Sequence, residues 1–267
     1  MYKRQVRYGL DVDGVIEWVN GGKFYLSEWY APPNGLEARF VARDVFEFYL
    51  GTDLSKQPNM SSVQYGNLAA IVTWATSTNL PDGASIVVAD ALTSSAGRSY
   101  SGEGTYAEMV QKCANAACCI LRYDREGVLY IEPLNETATE YTIPLSLSYS
   151  YPEITLSKPL KNVIVDYGGD TPYQLDVSSE GESQTLTNDY IKTETVAATV
   201  AEWVSKYLKT RKTVSGEFRS DPRLDLYDIV KVEDRYGKWL TVAITNIKYT
   251  YNGSFRGTYT GRIIEEG

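Results

Sequence analysis

The side chains with most potential for chemistry in this sequence are three clustered cysteines and a scatter of carboxylates, and neither group has the company that catalysis needs. Cys113, Cys118 and Cys119 form a CxxxxCC cluster. Three thiols without a fourth ligand of matching type nearby make a poor metal site, and the cluster reads as small buried residues at a helix end and a strand start. An odd, clustered count also builds no disulfide framework. Carboxylate pairs for acid-base hydrolysis can be drawn from Glu28, Asp44, Glu132 and Asp228, but with 34 Asp and Glu in the chain no spacing singles a pair out. Gly102-Glu103-Gly104-Thr105-Tyr106-Ala107 matches G-x-G-x-x-A, yet a Ser/Gly-rich loop precedes it where a dinucleotide site requires a buried strand. Asp11-Val12-Asp13-Gly14 resembles the opening of a calcium loop without the oxygen ligands that should follow, and reads as a hairpin turn. Histidine is absent, which removes imidazole acid-base catalysis, Ser-His-Asp and Cys-His nucleophiles, and every metal site with a His ligand. The expectation is a non-enzymatic chain with no catalytic, cofactor-binding or metal-ligating residues; the sequence leaves its interface residues unassigned.

Binding chemistry is constrained in a similar way. With 26 Lys and Arg against 34 Asp and Glu the net charge is −8, the wrong sign for holding nucleic acid through its phosphates. No apolar run approaches the length of a membrane span, and no apolar region follows the basic N-terminus as a signal peptide requires. Tyrosine is abundant, 22 residues against 6 Phe and 5 Trp, which suits half-buried strand surfaces and interfaces. Trp18, Trp29 and Tyr30, if exposed, are candidates for stacking on sugars; otherwise they are core or interface aromatics. Asn59-Met60-Ser61, Asn135-Glu136-Thr137 and Asn252-Gly253-Ser254 match glycosylation sequons but carry little information in a chain rich in Ser and Thr.

The elements that must position these residues follow from periodicity. A length of 267 residues has room for two domains. Val6 to Val12 and Val15 to Val19 read as a hairpin about Asp13-Gly14, and Lys23 to Tyr30 as a further strand between the turn signals Asn20-Gly21-Gly22 and Pro32-Pro33-Asn34-Gly35. Leu36, Ala38, Phe40 and Ala42 alternate with charged residues, the pattern of a strand with one buried face, and Asp44 to Leu50 is a short helical exit. From about residue 57 the period becomes helical: Leu68, Ile71, Val72 and Ala75 share one face, and Pro81-Asp82-Gly83 ends the element. After the loop from Thr93 to Gly104, Thr105 and Glu108 form a capping box for a second helix. Cys119 to Tyr123 and Val128 to Ile131 make a hairpin.

Tyr141, Ile143, Leu145, Leu147, Tyr149 and Tyr151 alternate with polar residues as one amphipathic strand, with Pro144 marking a sheet edge. Asn162 to Tyr167 is another strand. A third helix carries Val196, Val200, Trp203, Val204, Tyr207 and Leu208 as its apolar stripe, with Trp203 packing on the core. Four strands then form a meander, Val214 to Arg219, Ile229 to Glu233, Lys238 to Tyr251 and Phe255 to Ile264, turning at Tyr236-Gly237 and Asn252-Gly253. The fold class is α+β.

Two stretches carry a resemblance. Gly22-Lys23-Phe24-Tyr25-Leu26-Ser27-Glu28-Trp29, followed by Pro33-Asn34-Gly35-Leu36-Glu37-Ala38-Arg39-Phe40-Val41-Ala42-Arg43-Asp44, resembles a run that closes the first β-barrel of bacteriophage and prophage tail hub proteins. Tyr151 to Lys158 with Val163 to Tyr167, Ala201-Glu202-Trp203, Asp221-Pro222-Arg223-Leu224, Asp228-Ile229-Val230 and Gly253 to Arg262 is similar to the second barrel of the same tail-tip, baseplate hub or tail-associated family.

The resemblance implies two β-barrel-like modules flanking a small α/β insert: residues 1–52 as the end of a first hub barrel, 53–137 as the insert with two helices and a hairpin, and 138–267 as the second barrel with one packed helix. Because it begins near the end of the first barrel, that barrel is expected to lack its early strands. It implies a structural component of the virion tail, made in the bacterial cytoplasm before assembly. Such proteins form a homotrimeric ring that joins the tail tube to a spike or fibre and lets DNA pass. The implied partners are the distal tail protein, tail tube, and spike or fibre, with no cofactor, no membrane and no sequence-specific nucleic-acid binding. Relatives often carry a C-terminal peptidoglycan-cleaving or receptor-binding extension, and none is expected here after Gly267. The rival reading, from the Trp and Tyr content, is a carbohydrate-binding or receptor-binding, adhesin-like module of the tail tip. A cryptic acid-pair hydrolase is the third.

Overall fold

The Asp13-Gly14 pair does what its residue types favour. Both residues sit at positive φ, 53° and 84°, and join β1 (Lys3–Val12) to β2 (Val15–Tyr30) by a two-residue turn with Val12 opposite Val15. The structure is a computed structural model that describes residues 3–33, 35, 38–53, 67–80, 84–94 and 104–266. The sequon at Asn59, the Pro81-Asp82-Gly83 stop, the start of the residue-57 helix, most of the loop from Thr93 to Gly104, and Asn34, Leu36 and Glu37 lie outside the described residues.

The chain is mostly β and forms two compact units. The first comprises Met1–Pro133, Val165–Tyr173 and Thr185–Ala201, the second Leu134–Ile164, Gln174–Gln184 and Glu202–Gly267.

In the first unit, β1, β2 and β3 (Arg39–Arg43) make an antiparallel sheet. The Asn20-Gly21-Gly22 turn expected from composition does not form. β2 runs straight through it: Val6 pairs with Gly22 and Arg7 with Asn20, leaving Gly21 as the extra residue of a β-bulge. The Tyr8 ring lies where a side chain on Gly21 would be, so only glycine fits. Next come α1 (Val45–Leu50), capped by the Asp44 carboxylate on the Glu47 amide at 2.8 Å, and α2 (Leu68–Asn79), capped by Asn67. All four residues of the α2 stripe, Leu68, Ile71, Val72 and Ala75, are buried.

Two elements that periodicity did not disclose, β4 (Ser85–Val88) and α3 (Asp90–Ser94), precede α4 (Tyr106–Ala116). The Thr105–Glu108 capping box of α4 forms as expected. β5 (Cys119–Tyr123) and β6 (Val128–Pro133) are the expected hairpin, and β4 adds to β6 in parallel. Buried Asn188 ties a later segment of this unit to α4: its Nδ2 donates to the Lys112 carbonyl at 2.8 Å and its Oδ1 accepts from the Tyr190 amide at 3.0 Å.

The second unit is built on a six-stranded sheet of order β7-β13-β14-β15-β12-β8, from β7 (Thr137–Ile143), β8 (Glu153–Leu156), β12 (Lys212–Arg219), β13 (Asp228–Glu233), β14 (Trp239–Tyr251) and β15 (Phe255–Glu266). The long alternating strand expected from Tyr141 to Tyr151 breaks at Pro144, which has no N–H to continue a ladder. A 3₁₀ turn, Leu145–Leu147, intervenes; only the first part, Tyr141 to Ile143, lies in an edge strand, β7, while Tyr149 and Tyr151 belong to no strand and the opposite edge, β8, begins at Glu153. The last four strands are not a simple meander. β12 skips β13 and pairs with β15, Val214 opposite Gly261, which is a Greek-key order. Val214, Phe218, Val230, Val232, Leu240, Val242, Ile244, Tyr259 and Ile263 alternate inward into one core with Ile143 and Leu224. No hydrogen-bonded closure between β7 and β8 is present among the described residues, so the sheet is an open one.

A smaller sheet has the order β10-β9-β11, from β9 (Leu160–Asp166), β10 (Tyr173–Asp176) and β11 (Glu182–Thr187). The third predicted helix is α5 (Glu194–Leu208), but its buried residues are Ala197, Val200, Ala201 and Ser205. Trp203, expected to anchor it, is only half-buried, edge-on to Tyr207 at 6.1 Å, and Leu208 is exposed. Small residues permit closer approach than an indole, and they take the inner face.

Candidate functional site

The feature that calls for a functional explanation is the β1–β2–β3 sheet. It carries large apolar side chains in water: Trp18 is 57% exposed, Trp29 68% and Phe40 66%, with Val15, Ile16, Tyr30 and Val41 also exposed. The alternation read at Phe40 and Ala42 predicts a buried face for β3; instead Arg39, Phe40 and Val41 are all exposed. Trp29 and Phe40 are direct cross-strand partners, so two exposed rings sit opposite each other. Trp18, Val15 and Ile16 lie at the hairpin end of β2, and Trp29 and Tyr30, with Phe40 and Val41 of β3, at its other end; exposed apolar clusters of this kind mark interaction surfaces.

Local packing fixes this sheet at the middle of β2 and leaves the ends projecting. Tyr25 is buried and makes a ring cluster with Phe48 at 6.1 Å and Tyr49 at 5.0 Å on α1. Asn20 donates to the Glu126 carboxylate at 2.6 Å, and the Tyr123 hydroxyl donates to the Lys23 carbonyl at 3.3 Å, so the β5–β6 turn grips the bulge. Arg43 ties the base together through Ser27 Oγ at 3.2 Å, Glu28 at 3.7 Å and Glu47. Toward the tip, Trp18 lies across Gly9, its cross-strand partner, with the Arg7 guanidinium 5.8 Å from the ring centre.

The structure does not gather the candidate carboxylates. Glu28 faces Arg43; Asp44 caps α1, its burial raising the carboxyl above the ordinary range; Glu132 pairs with Arg122 at 2.9 Å; Asp228 accepts from the Asp225 amide at 2.8 Å. Each is occupied by a local structural partner. The cysteines lie at the end of α4 and the start of β5, with Cys113 and Cys119 buried and Cys118 partly so. Burial pushes the Cys113 thiol up to about 12 and those of Cys118 and Cys119 up to about 11, the opposite of an activated nucleophile. Among the described residues no group of three or more His, Cys, Asp or Glu is arranged to hold a metal ion, and no helix is long and apolar enough to cross a membrane.

The exposed aromatic sheet is the site that sequence reasoning placed least well. Trp18, Trp29 and Tyr30 were legible as candidates, but whether they face water was not. The available signal was that β2 lacks the apolar alternation of a strand with one buried face.

No family model matches the sequence, and no curated protein does. Solved structures do match in fold. The 43 kDa tail protein of prophage MuSo2 from Shewanella oneidensis superposes with a TM-score of 0.63 at 13% identity, over 92% of this chain and 78% of that one. A tail protein from Neisseria meningitidis gives 0.61 at 13% identity, over 94% and 82%. An Escherichia coli component of the type VI secretion system, itself described as similar in structure to T4 bacteriophage tail proteins, gives 0.57 at 14% identity, over 96% and 63%. The match to the prophage proteins spans nearly all of both units, so the chain has the fold of bacteriophage and prophage tail proteins.

Proposed function

We propose that this chain is a structural component of a bacteriophage or prophage tail tip or baseplate hub. The observation that carries the reading is the fold likeness to a prophage tail protein over 92% of the chain and to a Neisseria meningitidis tail protein over 94% of it. In this reading the chain works in the virion tail as a homotrimeric ring between tail tube and spike or fibre, through which DNA passes. Its three modules are residues 1–52, 53–137 and 138–267, the outer two being the barrel-like ones. The single core that β7, β12, β13, β14 and β15 of the six-stranded sheet share supports the second of them. The exposed Trp18, Trp29 and Phe40 sheet is the surface by which it meets a neighbouring tail subunit, and no reaction is catalysed. The similarity to a type VI secretion component is consistent with the same mechanical role in a related injection machine.

The test is to co-express the chain with the products of its flanking genes and to determine mass by light scattering and shape by negative-stain electron microscopy. Rings of three copies that join a tail-tube or distal tail protein are expected. A chain that stays monomeric and joins none of them overturns the reading.

The exposure of Trp18, Trp29 and Tyr30 favours one second reading, a glycan- or receptor-binding module of the tail tip. Saccharide binding on a glycan array, lost on Trp29→Ala, would select it over the scaffold.

A further inference from the structure

Three Asn-Gly pairs occur, at Asn20, Asn34 and Asn252, and Asn34 lies outside the described residues. The other two are chemically identical and structurally opposed. Asn20 sits mid-strand in β2 with both ends of its carboxamide engaged: Oδ1 accepts from Arg7 Nε at 3.2 Å and Nδ2 donates to Glu126 at 2.6 Å. Its Gly21 is the bulge residue under the Tyr8 ring. Asn252 and Gly253 sit in the three-residue turn between β14 and β15, beyond the last pair Tyr251 and Phe255. Both are exposed, Gly253 has φ 73° with open space where a side chain would be, and the Asn252 side chain makes no hydrogen bond among the described residues.

We propose that Asn252 is a site of spontaneous, non-enzymatic modification in the folded protein, deamidating through a succinimide, while Asn20 is protected by the fold. The reaction needs two movements. The carboxamide carbon must swing onto the nitrogen of the following residue, and that nitrogen must be free of packing. At Gly253 the amide nitrogen, having given its proton to hydroxide, attacks Asn252 Cγ; the Cγ–Nδ2 bond breaks and nitrogen leaves as ammonia. Water then opens the five-membered imide at either carbonyl, giving aspartate or isoaspartate, with no redox change. At Asn20 the same attack first requires loss of the Arg7 and Glu126 bonds and displacement of Tyr8, so it proceeds only from a locally opened state. The product adds a negative charge at a hairpin tip and, as isoaspartate, one extra carbon to a backbone whose register is set by a three-residue loop. This inference is independent of the tail reading.

The test is peptide mapping by mass spectrometry of the purified full chain after incubation at mildly alkaline pH, in buffer and in denaturant. In buffer, conversion at Asn252 is expected to exceed that at Asn20 by about tenfold or more, a ratio set by local opening. In denaturant the two rates should converge. Conversion at Asn20 as fast as at Asn252 in the folded protein overturns the proposal, as does a difference of the same size that survives unfolding.

Discussion

Tyr259 lies across Gly216, its direct partner in the β12–β15 ladder, with the phenol oxygen 2.9 Å from where a side chain on Gly216 would begin. Two residues along, Phe218 covers its own partner, Gly257, and the two rings meet edge-on at 5.6 Å. Ring and glycine alternate between the strands, so each aromatic fills the space that the opposite residue leaves. Gly216→Ala pushes a methyl into the Tyr259 ring and should lower stability by about 1 to 3 kcal/mol, read as a shifted denaturant midpoint at constant slope. An unchanged midpoint would mean that Tyr259 has room to move.

The Tyr259 hydroxyl is buried without a hydrogen-bond partner among the described residues. An unpaired buried hydroxyl costs about 1 to 3 kcal/mol of desolvation. Tyr259→Phe keeps the ring over Gly216 and removes that cost, so it should leave thermal stability unchanged or raise it. A clear loss would show that the hydroxyl is paired in solution.

At pH 8 a thiol held at about 11 is ionised in roughly one molecule in a thousand. Cys113 and Cys119 should therefore resist a thiol-directed alkylating reagent in the native protein and react fully once it is denatured. Rapid labelling of Cys113 in native buffer would place the α4–β5 junction outside the core.

Asp44 gives a pH dependence with a definite sign. Its folded carboxyl is raised above 3.8 by burial, which outweighs the backbone hydrogen bond it accepts. The folded state thus binds this proton more tightly than the unfolded state, and the group's contribution to stability falls as pH rises from 3.8 through the raised value, then levels off. Asp44→Asn retains an acceptor for the α1 amide and abolishes that slope; Asp44→Ala loses the cap and about 1 kcal/mol. Stability curves for the three proteins between acid and neutral pH check this, and a wild-type advantage over Asn that grows with pH would contradict it.

Trp29→Ala and Phe40→Ala remove side chains that are about two-thirds in water. Each should change unfolding free energy by no more than about 0.5 kcal/mol while weakening association with tail partners. A large loss of stability in the isolated chain would instead make these rings part of its own core.

Local signals were readable and non-local ones were not. The α2 face, the Thr105–Glu108 box and the Asp13-Gly14 turn depend on residues a few positions apart, and all form as their chemistry dictates. Asn20-Gly21-Gly22 misled because glycine serves a bulge as readily as a turn, and only the strand opposite decides which. Trp203 misled because helical period finds a face, not how near that face comes to its neighbour. The pairing of β12 with β15 in place of β13 leaves no local trace, since hydrogen-bond partners across a sheet are chosen by the whole core. The carboxylates could be named but not ranked, because each one's neighbour, such as Arg122 beside Glu132, is visible only in three dimensions.

β15 is flanked by both β14 and β12, so the last of this sheet's six strands in chain order is a central one. A ribosome that has released everything up to Tyr251 has made five of the six strands, yet β12 and β14 still lack the partner they share. Until β15 emerges, β7-β13-β14 and β12-β8 can pair only as two separate pieces, since β15 is the strand that joins them. A polypeptide in that state shows open strand edges to its neighbours on the polysome. Slow translation of the segment that carries β15 should therefore lower the yield of folded protein more than an equal delay anywhere earlier.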